Sequence, residues 1–95
     1  MSKKEAYEKK LQSQLDEWNA EIQKLKAKAD AAEADAQIEY QKQIDELRLM
    51  QQKANHKLKE LREASDSAWE DLTAGIDSAW DSLSKAVKSA RSRFK

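Results

Sequence analysis

Ninety-five residues allow one small domain, and a charge balance of 18 basic against 18 acidic side chains leaves no field to steer the chain toward nucleic acid. Cysteine is absent, which excludes disulfides and thiolate metal sites and leaves the redox compartment unreadable. One glycine, no proline and an excess of Ala, Lys, Glu, Gln, Leu and Arg exclude a sheet and point to long helices.

The first residues, MSKKEAY, hold no apolar stretch of the kind a secretory leader needs, and no apolar run approaches the length of a membrane span. A cytoplasmic location is the resulting expectation. From Leu11 the apolar positions step by four and three through Leu15, Trp18, Ile22, Leu25, Ala29, Ala32 and Ala36, a heptad seam. Between Ala36, Tyr40 and Ile44 the step is four twice running, a stutter that locally unwinds a left-handed supercoil. The rhythm resumes through Leu47, Gln51, Ala54, Leu58 and Leu61. Residues 29–36 are the thin part of the seam, where alanines let neighbouring backbones approach closely and packing stabilises least. No proline or glycine interrupts this stretch, so it reads as one helix over about residues 4–64, roughly 90 Å long at 1.5 Å per residue. A helix of that length cannot hide its own stripe. The cover must come from a second chain, from fold-back of the C-terminal helix, or from both.

Beyond residue 57 the period changes to eleven: Leu58, Trp69 and Trp80 are so spaced, as are Leu61, Leu72, Leu83 and Phe94. The block DSAWEDLTAGI at 66–76 is nearly repeated by DSAWDSLSKAV at 77–87. Eleven residues make about three turns, so this spacing maintains one amphipathic face. Ser65, Asp66 and Ser67 are good N-caps, and Ser67 with Glu70 reads as a capping box. Residues 66–84 hold acids and no base, whereas residues 85–95 hold bases and no acid, which suits the dipole of a helix starting near 66. A bend or break near 63–67 is therefore expected, dividing a coiled-coil segment at 1–64 from an amphipathic helix at 65–95.

Chemistry-bearing constellations are sparse. His56 is the single histidine; a di-iron bundle wants Glu three residues before it, where this chain has Lys53. The pairs Glu70 with Asp71 and Asp77 with Asp81 lie on a helix surface without the desolvated cleft that acid–base catalysis requires. Ser67, Ser78 and Ser84 sit in no nucleophile elbow, and no glycine-rich phosphate loop exists. No enzyme activity, catalytic residue, metal, cofactor or small-molecule substrate is expected. Trp69 and Trp80 suit either a lipid-facing helix or a helix-bundle core; a lipid-binding helix carries Lys and Arg along its polar face, and the acids of 66–84 favour the core. Trp18, on a seam row that prefers Leu in two-stranded coils, points to a thicker bundle or an antiparallel arrangement.

The opening MSKKEAYEKKL, QLDEWNAEI at 14–22, ADAAEADA at 29–36 and the WEDL and AWDSL blocks resemble a group of small coiled-coil proteins of cyanobacteria and proteobacteria linked to stress responses. The likeness spans the chain and implies a bacterial source and a stress-related role, with no defined activity or ligand to carry over. The expected fold is thus all-α, a long amphipathic helix in a coiled coil or helical bundle. The expected function is non-catalytic self-association into a homo-oligomer, with higher-order assembly through opposed charges on the C-terminal helices. Its seam comprises Leu11, Leu15, Trp18, Ile22, Leu25, Ile44, Leu47, Leu58 and Leu61. A second contact surface comprises Trp69, Leu72, Ile76, Trp80, Leu83 and Val87. Binding to a membrane surface is the alternative, and nucleic acid is not an expected partner.

Overall fold

The structure, a computed structural model that describes residues 2–94, is all-α. Helix α1 spans Lys3–Ala31, α2 spans Ala34–Glu63 and α3 spans Trp69–Arg93. The three pack side by side into a rod measuring 51 × 20 × 18 Å. A helix of α1's 29 residues is about 44 Å long at 1.5 Å per residue, so the rod is little more than one helix in length. No helix among the described residues is long and apolar enough to cross a membrane.

Side-chain pairs fix the directions. Gln12 meets Arg62 and Asn19 meets Gln51, so α1 and α2 run antiparallel. Tyr40 meets Arg93 at the other end of α3, making α2 and α3 antiparallel as well. Tyr7 lies against Asp77 and Glu21 against Arg91, a parallel α1–α3 pair with a constant offset of 70 residues.

The single helix expected over 4–64 is corrected: it is two helices, folded back at Ala32 and Glu33. Ala32 (φ −76°, ψ 161°) and Glu33 (φ −63°, ψ 155°) are both extended. Burial explains why the chain breaks where the sequence offers no breaker. Folding back sets Leu11, Leu15, Ile22 and Leu25 against Ile44, Leu47, Leu58 and Leu61, all at most 3% exposed. Each such side chain gains about 1.5–3 kcal/mol. One helical turn forgoes only a few hydrogen bonds, each of net worth about 0.5–1.5 kcal/mol. The fold-back falls in the alanine stretch because little apolar area is forfeited there. The stutter at Ala36, Tyr40 and Ile44 runs unbroken within α2.

The break expected near 63–67 occupies residues 64–68, but α3 begins at Trp69 rather than near 66. The capping box read at Ser67 and Glu70 does not form. Instead the Ser65 hydroxyl accepts from the Ala68 N–H (3.2 Å) and the Ser65 carbonyl accepts from the N–H groups of Ala68 and Trp69 (3.1 Å each).

Candidate association surfaces

The two surfaces singled out in the sequence face each other inside one chain. Leu11, Leu15, Ile22, Leu25, Ile44, Leu47, Leu58 and Leu61 from the seam join Ile76, Trp80, Leu83 and Val87 from the second surface in one buried cluster. Trp18, Trp69 and Leu72 are half-buried against its edge. Ala29, Ala54, Ala90 and Phe94 complete the core. The Trp80 indole N–H donates to the Leu11 carbonyl at 3.3 Å, the partner a buried indole needs. The arrangement corrects the premise that the stripe is too long for the chain to shelter: the chain covers its own seam, with α3 as the third wall.

Among the described residues every buried side chain is hydrophobic, and no buried side-chain nitrogen or oxygen lacks a partner. Polar contacts sit at the edges of the helix pairs, where they set register rather than chemistry. Between α1 and α2, Asn19 Oδ1 accepts from Arg48 (2.9 Å) and from the Gln51 side-chain amide (3.0 Å), while Arg48 also donates to Gln51 Oε1 (2.8 Å). Gln51 stands at a seam position, and in this α1–α2 alignment its amide meets Asn19.

The two ends of the rod are fastened differently. At the end holding residues 64–68, the Lys4 ammonium donates to the carbonyls of Ala64 (2.8 Å) and Arg62 (3.3 Å), satisfying the C-terminus of α2 with a cation. Beside it the Tyr7 hydroxyl donates to Asp77, and its ring lies 5.9 Å from that of Trp69. Burial, then the hydrogen bond to Asp77 and its negative charge, push the Tyr7 phenol well above the usual tyrosine range. At the opposite end the Tyr40 and Phe94 rings stack at 4.2 Å, and the Tyr40 hydroxyl donates to the Arg93 carbonyl at 3.3 Å. At the corner the Ala32 N–H donates to the Ala29 carbonyl (3.2 Å) and the Gln37 N–H to the Glu33 carbonyl (2.8 Å), and its side-chain contacts are exposed: Gln37 and Gln41 donate to the Asp30 carbonyl (3.3 Å) and carboxylate (2.7 Å). Glu33 forms no side-chain cap, and the backbone N–H groups of residues 33–36 donate to no protein group.

Groups that carry chemistry elsewhere are solvated here. His56 Nε2 lies 2.9 Å from Glu60 on the outside of α2, both side chains at least half exposed. No cluster of three or more His, Cys, Asp or Glu suited to a metal occurs among the described residues. Asp81 pairs with Lys85 at 3.0 Å along α3, and Arg91 reaches across to Glu21 at 2.9 Å. The large apolar side chains left exposed are Ile38 and Leu49, on one stripe of α2 but separated by Lys42 and Asp45. Sequence reasoning missed the roles of Lys4, Tyr7 and Asn19. Each contacts a residue more than 25 positions away, and helical period carries no signal for such pairs.

Comparisons with protein-family models, curated proteins and solved structures return no match to this chain.

Proposed function

We propose that this chain is a non-catalytic helical protein that acts by self-association, in a structural or stress-related role. The observation that supports this reading is the uniform nature of its contact chemistry. Its buried surface consists of helix faces in heptad and eleven-residue register, carried through a corner where no side chain caps α2. Helices with such faces recognise other helices, including those of a second copy. Sedimentation across a wide dilution range, with helicity followed in parallel, tests the reading. It expects a concentration-dependent dimer or larger species at least as helical as the monomer, and a monomer at every concentration contradicts it.

A second reading, attachment to a lipid surface, rests on α3. This is the most strongly amphipathic of the three helices, and Trp69 sits half-exposed at its start. Flotation with neutral and anionic vesicles, with a blue shift of tryptophan emission beyond that of the free protein, supports it. The absence of both removes it.

A further inference from the structure

We propose that two copies associate by exchanging α1. The corner at Ala32 and Glu33 straightens, so that α1 and α2 become one rod and each α1 packs on the partner's α2 and α3. The inference rests on the self-association reading above and supplies its mechanism.

Four observations carry it. First, the seam does not end at the corner: Leu25, Ala29, Ala32 and Ala36 continue its steps of four and three, so a straightened helix keeps its apolar stripe on one face. Second, residues 29–36, ADAAEADA, contain no glycine or proline, and alanine is the best helix former. Third, only two residues need to change conformation, with ψ turning from 161° at Ala32 and 155° at Glu33 to about −42°. That change gives the bare N–H groups of residues 33–36 the helical carbonyls they lack in the folded-back chain.

Fourth, the α1–α2 register suits a two-fold dimer. The midpoint of Gln12 and Arg62 is residue 37, and the midpoint of Asn19 and Gln51 is residue 35. Two antiparallel rods that preserve these contacts between copies therefore cross their symmetry axis beside Ala36. There the alanines allow close backbone approach, and no bulky side chain meets its own image. All contacts of α1 re-form with the partner, including the Trp80 indole on the Leu11 carbonyl and Lys4 on the end of α2. The exchange costs association entropy and the exposed Asp30 contacts, and it gains a helical turn per chain. Dimer therefore accumulates when chains fold at high concentration, and slowly, because α1 must leave its core.

The test uses chains refolded from denaturant at low and high concentration and separated by size. Gln12→Cys and Arg62→Cys place thiols on an exposed, neighbouring α1–α2 pair in a chain with no cysteine of its own. A short bis-maleimide then joins them. In the isolated dimer, exchange predicts two chains linked covalently on a denaturing gel, whereas the monomer links within one chain. A dimer linked only within chains overturns the exchange and leaves self-association standing; a chain that never dimerises overturns both.

Glu33→Pro supplies the second arm. Glu33 has φ −63°, the residue before it is extended, and its N–H donates no hydrogen bond, so proline fits the folded-back corner. Proline inside a continuous helix is strongly unfavourable, so the variant is expected to keep monomer helicity and to dimerise more than about a hundredfold more weakly. Undiminished dimerisation of Glu33→Pro contradicts the proposal.

Discussion

The two corners of this rod make the same reversal of direction by opposite means. Residues 64–68 form a constructed turn: the Ser65 hydroxyl and carbonyl take up the N–H groups of Ala68 and Trp69 at the entry to α3, and Lys4 takes up the carbonyls of Arg62 and Ala64 at the exit of α2. Ala32 and Glu33 form an unadorned one, with no cap on α2 and only solvent-exposed glutamines bridging to Asp30. A corner that the local sequence specifies holds its shape independently of its surroundings. A corner that only tertiary burial imposes is retained as long as the helices it joins prefer each other to a copy.

Substitutions at the two corners sharpen this contrast, and the largest effect concerns the core beside each one. Leu61 is fully buried near the constructed turn, so Leu61→Ala is expected to lower unfolding free energy by about 2–5 kcal/mol in a denaturant titration. Ala29, equally buried near the bare corner, offers only a methyl group, and Ala29→Gly is expected to cost about 1 kcal/mol, mostly through helix propensity. Equal losses would mean that both ends are packed alike.

Capping gives the next difference. Ser65→Ala removes a hydroxyl that accepts the Ala68 N–H, which the Ser65 carbonyl also accepts, and is expected to cost about 0.5–1 kcal/mol. Glu33→Ala removes no capping bond and should fall within about 0.5 kcal/mol of the parent. A comparable loss from both would show that Glu33 caps α2 after all. Glu33→Pro acts with the opposite sign. In the dilute monomer it should raise stability by about 0.4–1 kcal/mol by restricting the unfolded chain, and thermal unfolding at low concentration checks this.

The smallest effect is a pH dependence confined to the end that Lys4 and Tyr7 fasten. The folded chain holds the Tyr7 proton more tightly than the unfolded chain, because of burial and the Asp77 carboxylate. Its contribution is complete below the ordinary tyrosine pKa of about 10 and is lost as pH rises above that value toward the raised one. Tyr7→Phe should flatten the alkaline decline of stability relative to the parent. An identical slope would mean that Tyr7 contributes nothing to the decline.

The helices and their apolar faces were legible in the sequence because period is a local property: the steps of four and three, and of eleven, name the buried residues whichever helix covers them. The break at residues 64–68 was legible for the same reason, since Ser65 and the change from basic to acidic turns are local signals. The corner at Ala32 and Glu33 was not. Every residue around it favours helix, and it forms because eight large side chains on either side bury one another. A seam pattern states that a stripe must be covered and is silent on whether the cover is another segment or another molecule. Hence the seam and second surface, whose cover the sequence left open between a second chain and the folded-back C-terminal helix, are two sides of one core. The polar fasteners Lys4, Tyr7 and Asn19 join residues far apart in the chain, and only the register of the folded bundle reveals them.

Hydrogen exchange at the backbone amides of the two corners, compared between the separated monomer and dimer, tests the contrast most directly. The amides of Ala34, Asp35 and Ala36 should exchange rapidly in the monomer and become as protected as a helix interior in the dimer, while those of Ala68 and Trp69 keep the same protection in both. Amides at residues 34–36 that exchange equally fast in both species would contradict the account.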